Sequence, residues 1–483
     1  MKKIVCFLLS LICLAGVFSL FCSCGKTDKG VDGYEITARY IPETSTVAGV
    51  VKFTYQNRTD NEITALKFNL WGNAYREDAA YSPVSPALSA AAYYGGKNYG
   101  GMEITSVAGS KSWEVMGEDA NILCVEPESS LFPGDKLTVD ISFTTTLAKI
   151  NHRTGVTEKT VNLGNFFPIL CAYDKGFVEC PYYSDGDPFL SDCANYKVTL
   201  SLPKEYEVAS SGKVLSERAL ESKKELILFV ANARDFALVL SKNFKVERCE
   251  VGGVELLYYY HSDDAPAAHL AAMKECFAYY NKTFGAYPYS TYSVAQTGLC
   301  YGGMEYPALT MISADLPKEE YVYTLAHETA HQWWYAAVGS NQIQNAWQDE
   351  GLAEYSTAMF FEAHPSYGYT EASLVSGATE NYRSYFDVYS RVFGQADTRM
   401  TRHLKDFLSD YEYRSIAYDK GLILFHTVKT GIGEKRFVSG LKRYYESCKF
   451  KIVTPEALIG CFEKTGVDIG GVFASFLDGK AIV

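Results

Sequence analysis

The sequence has few of the features that mark nucleic-acid-binding or repeat proteins. Its 45 Lys and Arg are outnumbered by 57 Asp and Glu, giving a formal net charge of -12 at pH 7. Nucleic-acid affinity depends on clustered Lys and Arg, so this balance argues against a nucleic-acid partner and favours cationic or neutral ligands. Neither a low-complexity run nor an internal repeat is evident, which speaks against solenoids and propellers.

Pairs of cysteines in C-x-x-C spacing are also absent, and with them the usual signal for structural zinc. A chain of 483 residues is too long for a small disulfide scaffold. Nine of the 13 cysteines follow Cys24 at irregular spacing, and these are Cys124, Cys171, Cys180, Cys193, Cys249, Cys276, Cys300, Cys448 and Cys461. We predict that these cysteines are buried thiols, and the alternative is that two or four of them form one or two disulfides.

Long apolar runs are missing except at the N-terminus. Lys2 and Lys3 precede an apolar stretch over residues 4–21, which predicts a signal sequence or a membrane anchor over residues 1–24. The segment resembles a bacterial lipoprotein signal with Cys24 as the lipidated residue, and an uncleaved anchor or ordinary secretion is the alternative. Either places the folded part outside the cytoplasm, and lipidation would hold it at the bacterial cell surface.

Histidine is scarce, yet two of the eight histidines have the spacing of metal ligands, in His327-Glu328-Thr329-Ala330-His331. On a helix, residues four apart lie about 40° from each other, so both imidazoles can face one metal ion. Glu350, after a further eighteen residues, supplies a third ligand. Three protein ligands leave the fourth zinc position for water, as in catalytic sites. Glu328 can reach that water as a general base.

The flanking sequence predicts helices around this motif. Asp315 as cap and Pro317 in the first turn begin a helix whose apolar residues recur at helical spacing until Gly339, placing the motif mid-helix. A second helix from Asp349 to Ala363 would carry Glu350 in its first turn. The remaining histidines lack ligand spacing and are predicted to be structural or superficial; they are His152, His261, His269, His364, His403 and His426.

The chain divides into a β half and a mainly helical half. Its 47% hydrophobic and 21% charged residues are typical of a globular protein with room for two or three domains. Alternating segments predict strands of a β-sandwich, as in residues 50–56, 136–143 and 196–202. After residue 246 the pattern predicts a helix over 266–284, short strands at 292–294 and 308–312, and helices from 318 onward.

Four further segments connect this chain with a known family. They are Tyr301-Gly-Gly-Met-Glu-Tyr306, Tyr418-Asp-Lys-Gly421, Gly186-Asp-Pro-Phe-Leu-Ser-Asp192 and Arg234-Asp-Phe-Ala237. With the zinc motif they resemble the aminopeptidase N-like gluzincin metallopeptidases, a group that includes leukotriene hydrolase. The resemblance implies an N-terminal β domain over residues 25–248 and a thermolysin-like zinc peptidase domain over 249–483, in a short form without the family's large C-terminal helical domain.

The resemblance also implies substrate-binding residues. Gly302, Gly303 and Met304 would form an exposed strand that pairs with the substrate backbone. Glu305 would pair with the free α-ammonium of the substrate and so direct cleavage to the first peptide bond. Judged from the residues alone, a turn at the two glycines that leaves Glu305 solvated is the favoured interpretation. Tyr306 stands where the family has Asn, and the sequence does not say what it does there.

One tyrosine and one glutamate gain roles in the same way. The resemblance makes Tyr418 the donor of a hydrogen bond to the oxyanion, with Tyr411 and Tyr413 as the nearest competitors among 37 tyrosines. At the position of Glu354, related enzymes have an acidic residue that orients a zinc-bound histidine. Glu354 could equally be a surface glutamate.

The function implied is a zinc-dependent aminopeptidase that holds one Zn2+ per chain and removes the N-terminal residue from peptides with a free amine. Two alternatives remain. A thermolysin-like endopeptidase would share the zinc residues without needing Glu305, and a surface peptide-binding lipoprotein could carry a catalytically silent site. Oligomeric state is not indicated by the sequence.

Overall fold

The protein is described here by a computed structural model that covers residues 31–481. The predicted signal segment, residues 1–24 with Cys24, lies outside this range. Between residues 31 and 481, none of the helices combines the length and apolar character that crossing a membrane requires. All nine cysteines of the same range are free, and most are buried, as predicted for thiols that pack as small apolar groups.

The regular secondary structure of the first half of the chain consists almost entirely of strands. In chain order they are β1 Asp32–Ile41, β2 Thr46–Gln56, β3 Leu66–Asn69, β4 Gly101–Ala108, β5 Ser112–Met116, β6 Ile122–Glu126, β7 Lys136–Thr146, β8 Thr154–Val156, β9 Val161–Leu163, β10 Ile169–Leu170, β11 Ala194–Pro203, β12 Glu207–Ser210, β13 Lys213–Ala219, β14 Lys223–Ala233 and β15 Leu238–Ser241. They form a seven-stranded sheet ordered β13-β14-β11-β1-β2-β7-β4 and two four-stranded sheets, β10-β3-β6-β5 and β12-β15-β9-β8. The three strands predicted from alternation lie within β2, β7 and β11.

Alternation places the core on one face of the large sheet. In β1 the residues Tyr34, Ile36, Ala38 and Tyr40 are buried, while Glu35, Thr37 and Arg39 between them are exposed. Successive side chains of a strand point to opposite faces, so this pattern buries one face of the sheet. The 3-10 turns Trp71–Tyr75 and Pro86–Leu88 connect strands of this half, together with the short helix α1 Ser89–Ala92.

The second half contains one small mixed sheet and most of the helices. Strands β16 Lys245–Val251, β17 Val254–Tyr260, β18 Thr291–Thr297, β19 Gly303–Met304 and β20 Leu309–Ser313 pair in the order β16-β17-β18-β20-β19. The predicted domain boundary after residue 248 falls inside β16, and the division stays a prediction. Strands β21 Gly339–Ser340 and β22 Ile452–Val453 form a separate pair.

Helices carry the rest of this half. They are α2 Pro266–Thr283, α3 Lys318–Ala330, α4 Gln342–Asn345, α5 Trp347–Ala363, α6 Glu371–Phe393, α7 Asp410–Arg414, α8 Lys420–Ile432, α9 Glu434–Cys448, α10 Pro455–Glu463 and α11 Gly470–Leu477, with 3-10 turns at Pro365–Tyr367 and Leu404–Asp406 and a π-helix at Ser415–Asp419. The predicted fold class, a β domain followed by a mainly helical domain, is confirmed.

The helix that carries the histidine motif is shorter than predicted. It begins at Lys318 after Pro317, so Asp315 is not its cap, and it ends at Ala330 rather than near Gly339. Tyr335 has a φ of 140°, which no α-helix accommodates. The prediction of a mid-helix motif was therefore wrong: His331 caps the C-terminus of α3, and the chain turns immediately afterwards.

Candidate metal centre and active site

Three buried side chains converge at the end of α3 and the start of α5. The Nε2 atoms of His327 and His331 lie 3.1 Å apart. The Oε2 atom of Glu350 lies 3.4 Å from the first of these nitrogens and 3.3 Å from the second. Their relative exposures are 7%, 1% and 3% in the order His327, His331 and Glu350. All three predicted metal ligands are thus brought together.

These atoms fit a tetrahedral zinc ion. Ligands about 2.05 Å from a zinc ion at tetrahedral angles are separated by about 3.3 Å, which agrees with the three distances. Among the described residues, the buried Oε2 atom of Glu350 has no hydrogen-bond partner, although such atoms are normally satisfied. Two imidazoles and a carboxylate are also a donor set that zinc prefers. The residues present therefore fit the ion that the sequence implies.

The outer nitrogens of both imidazoles are held by the protein. The Nδ1 atom of His331 lies 2.9 Å from the backbone oxygen of Trp334, to which it can donate, and the turn after α3 positions that oxygen. The Nδ1 atom of His327 lies 3.0 Å from Oε1 of Glu354, whose other oxygen accepts a hydrogen bond from Tyr323. With Nδ1 of His331 hydrogen-bonded and Nδ1 of His327 beside a carboxylate, the Nε2 lone pairs can face a metal. Glu354 thus lies where it can orient His327.

Glu328 lies beside the metal ligands and against a glycine. Its Oε2 atom is buried without a hydrogen-bond partner among residues 31–481, and its side chain lines the central cavity. Burial raises the pKa of Glu328 to about 7, although the two imidazoles oppose the rise. A Cβ atom added to Gly303 would overlap the Glu328 carboxyl group. The backbone of β19 therefore approaches this carboxylate as closely as a glycine permits.

The predicted substrate strand is the edge of the five-stranded sheet. Within residues 31–481, β19 pairs with β20 on one side and with no strand on the other, so its second edge has no strand partner. Gly302, Gly303 and Glu305 line the cavity, whereas Met304 is buried at 1% exposure and points elsewhere. Burial, and after it the neighbouring Asp187, raises the pKa of Glu305 well above its ordinary value. Two carboxyl groups so placed favour an incoming ammonium group.

Tyr418 reaches the site from an unusual helix segment. It lies in the π-helix Ser415–Asp419 between α7 and α8, and its ring stacks on His327 with centroids 5.7 Å apart. Burial and then the Glu350 carboxylate raise the pKa of Tyr418 well above its ordinary value, so its hydroxyl stays protonated and able to donate. Of its competitors, Tyr413 also lines the cavity, but Tyr411 is 45% exposed and does not.

The β half supplies residues that the sequence did not indicate. Arg153 and Asp187 form a buried ion pair in the wall of the cavity, and the guanidinium of Arg153 lies 5.0 Å above the ring of Tyr301. Asp187 belongs to the Gly186–Asp192 segment, which the resemblance had singled out without giving it a role. Arg153 has no local sequence signal, since only the folded chain brings it to the site.

Tyr306 joins the two halves of the chain. Its hydroxyl donates to Oδ1 of Asn165 at 3.0 Å, and the Asn165 amide donates to Asp235 at 2.8 Å. A side chain on Gly164 would overlap the Tyr306 ring. The backbone oxygen of Tyr306 accepts from Gln332 at 3.1 Å. Tyr306 therefore fixes the loop that carries Glu305 from both sides.

The cavity that these residues surround has a volume of about 530 Å3. Small-molecule sites commonly have volumes of about 300–1,000 Å3. Its lining includes the three candidate ligands together with Glu305, Glu328, Asp187 and Tyr418. Acidic side chains outnumber basic ones in this lining, which suits the binding of a metal cation and of a substrate ammonium group.

Part of the chain matches a known family of peptidases. Residues 268–476 match the peptidase family M1 domain. Leucine aminopeptidase 2-1 of Meyerozyma guilliermondii is 26% identical over 184 residues, which are 37% of this chain and 28% of that protein. Leucine aminopeptidase 2 of Aspergillus terreus is 29% identical over 156 residues, 31% of this chain and 24% of that protein. The chain thus matches only about a quarter of the length of these relatives.

Solved structures resemble almost the whole chain. An M1 zinc metallopeptidase from Deinococcus radiodurans superposes with a TM-score of 0.65 at 15% identity, over 96% of this chain and 97% of that one. A mutant of that enzyme bound to a Tyr-Ser-Ala substrate gives a TM-score of 0.63 over 94% and 95%. At this identity the likeness concerns the fold. The matched domain over residues 268–476 contains the His327–His331 motif and Glu350, so this part of the chain is similar to peptidase family M1.

Proposed function

We propose that the protein is a zinc-dependent aminopeptidase that removes the N-terminal residue from peptides. The observation that carries this proposal is the placement of Glu305 and Glu328 in one cavity with the His327, His331 and Glu350 triad. A carboxylate for the substrate amine and a carboxylate for the reacting water thereby flank a site for one metal ion. This arrangement suits cleavage of the first peptide bond.

His327, His331 and Glu350 would hold the zinc ion. The chemistry it supplies when bound is polarisation of the scissile carbonyl and acidification of a water molecule. Glu328 takes the proton from that water and returns it to the leaving amine, acting as general base and then general acid. Its raised pKa, about 7, suits both roles at neutral pH.

The remaining residues bind and orient the peptide. The open edge of β19 pairs with the substrate backbone, and Gly303 allows the approach. Glu305 pairs with the α-ammonium group. The Tyr418 hydroxyl donates a hydrogen bond to the oxyanion that develops during attack.

Two structural features argue against the two alternative functions. A thermolysin-like endopeptidase has no use for a buried carboxylate at the amine end of the cavity, and Glu305 is only 4% exposed there. A silent peptide-binding protein has no use for Glu328 with an unpartnered oxygen in the cavity. Both features favour the aminopeptidase.

The location proposed for this activity is the extracytoplasmic surface of a bacterial cell. The support is the N-terminal sequence, with Lys2 and Lys3 before the apolar residues 4–21 and a lipidation candidate at Cys24. Labelling with a radioactive fatty acid, compared between the wild type and Cys24→Ala, tests the anchor.

Aminoacyl-nitroanilide hydrolysis across a panel of amino acids tests the activity, with and without a chelator. We expect turnover that the chelator abolishes and added zinc restores. A peptide and its N-acetylated form should then differ, because acetylation removes the ammonium group that Glu305 binds. Equal cleavage of both would favour the endopeptidase, and bound zinc without any turnover would favour the silent binding protein.

A further inference from the structure

The active-site cavity continues beyond Tyr418 into a second cavity. This second cavity has a volume of about 370 Å3 and shares five lining residues with the first, which are Tyr323, Glu354, Asp410, Arg414 and Tyr418. Its own lining includes neither Glu305, which would hold the substrate amine, nor Gly303 of β19. A peptide anchored at Glu305 and cleaved next to Tyr418 therefore extends its leaving portion toward this second space.

Arg414 is the cationic side chain of this second lining. It is the last residue of α7 and lies four positions before Tyr418, across the start of the π-helix. Four positions are about one helical turn, so both side chains reach the same side of the segment and both line the two cavities. Arg414 is exposed, and among residues 31–481 it forms neither a hydrogen bond nor an ion pair.

The acidic groups around Arg414 are occupied otherwise. Glu354 accepts a hydrogen bond from Tyr323 and contacts His327. Asp419 accepts from the Asn381 amide at 3.3 Å. Asp410 stands in the first turn of α7, where a carboxylate is stabilised by the helix N-terminus. None of the three lies within ion-pair distance of Arg414, so its five donors remain available to a ligand.

We propose that Arg414 binds a carboxylate on the leaving side of the peptide and thereby determines specificity. The substrates favoured would be short peptides whose C-terminal carboxylate falls one or two residues after the cleaved bond, or peptides with an acidic side chain there. Arg binds carboxylates through two parallel hydrogen bonds, which a neutral amide cannot reproduce. This inference rests on the proposed aminopeptidase function.

The test compares kcat/KM for pairs of peptides that differ in one carboxylate. With X as the best first residue from the nitroanilide panel, X-Gly and X-Gly-Gly are measured against their C-terminal amides. X-Glu-amide against X-Gln-amide examines a side-chain carboxylate separately. In the wild type we expect at least one acid to be preferred over its neutral partner by roughly tenfold or more, as for a charge-assisted hydrogen bond. The pair that shows the preference identifies the source of the carboxylate.

Substitution of Arg414 then locates the effect. In Arg414→Met the preference should fall to about one, and in Arg414→Lys it should be intermediate, because lysine keeps the charge but not the paired geometry. Arg391→Met on α6, an exposed arginine outside both cavities, serves as the matched control and should keep the wild-type ratio. A ratio within one variant is independent of the fraction of folded enzyme, so partial unfolding does not imitate the result.

Two outcomes would overturn the inference while leaving the aminopeptidase intact. One is hydrolysis by the wild type with every ratio near one, and the other is a preference that Arg414→Met does not change. Absence of hydrolysis with every peptide would instead overturn the proposed function and this inference together.

Discussion

At the scale of single residues, Gly303 is a position in the site where an added side chain would overlap a catalytic group. Its missing side chain is what allows β19 to lie against the Glu328 carboxyl group. Gly303→Ala should displace that carboxylate and lower kcat by roughly a hundredfold, the effect of a misplacement of about 1 Å in a catalytic group. Steady-state kinetics, with circular dichroism to confirm folding, provides the measurement.

The neighbouring glycine supplies the control. A Cβ atom on Gly302 would meet the Thr324 side chain at 3.4 Å and the Leu316 side chain at 4.0 Å, which are ordinary van der Waals contacts. Gly302→Ala should therefore cost much less activity than Gly303→Ala. Equal losses in the two variants would show that the contact with Glu328 is not what requires glycine.

We expect Glu354 to act on the metal centre through His327. Its carboxylate lies 3.0 Å from the outer nitrogen of that histidine, and such partners raise the basicity of a metal-bound imidazole. Glu354→Gln should weaken zinc binding by about 10–100-fold, measured by competition with a chromophoric chelator. Glu362→Gln, an exposed position on the same helix, should leave the affinity unchanged. An unaltered affinity in Glu354→Gln would reduce Glu354 to a structural role.

At the scale of elements, the site depends on how closely α5 and α8 pack. Gly351 of α5 and Gly421 of α8 face each other, and a Cβ atom on Gly351 would meet Cα of Gly421 at 2.9 Å. Gly351→Ala should force the helices apart, destabilise the protein by about 1–3 kcal/mol and weaken zinc binding, because Glu350 is the preceding residue. Urea unfolding of the metal-free protein measures the first effect.

A second glycine of α8 separates packing from helix propensity. Gly431 has no neighbour within 4 Å of the position where a Cβ atom would lie. Gly431→Ala should therefore be neutral or stabilising by up to about 1 kcal/mol, since alanine favours helices over glycine. If Gly351→Ala were equally well tolerated, the close helix contact would not be important for the site.

The elements were predictable to different degrees, for physical reasons. The sequence located α2 and α5 to within two residues at each end, and Pro365 directly after His364 accounts for the end of α5. Periodicity failed at the end of α3, since Trp333 and Trp334 continue the apolar pattern while packing in a turn set by the φ of Tyr335. The π-helix that carries Tyr418 has no composition of its own, so only the resemblance pointed to that residue.

At the scale of the whole molecule, Arg234 of the β half ties the two halves together. It is 2% exposed and donates to the backbone oxygens of Tyr335 at 2.7 Å, Ser191 at 3.0 Å and Lys451 at 3.2 Å. Arg234→Met would leave the backbone oxygens of Tyr335 and Ser191 without this donor, while that of Lys451 still accepts from the Gly339 N–H. The loss should cost roughly 2 kcal/mol or more in the free energy of unfolding. Arg218→Met, exposed on β13, is the control and should change stability by less than about 0.5 kcal/mol.

Chemical unfolding measures this loss of stability. A decrease of less than about 1 kcal/mol in the free energy of unfolding of Arg234→Met would contradict the link between the halves.

The sequence marked Arg234 only through its resemblance to a family segment. Contacts that span the chain, such as Arg153 with Asp187 beside the cavity, leave no trace in local patterns. What the sequence predicted best was the set of metal ligands, where chemistry restricts both residue type and spacing.

The central claim is that His327, His331 and Glu350 hold the metal while Glu328 moves the proton. Zinc content and turnover of Glu328→Gln, measured on one preparation, test it most directly. We expect about one zinc ion per chain, as in the wild type, with turnover lower by at least about a thousandfold. Near-normal turnover, or a protein that no longer binds zinc, would contradict the account.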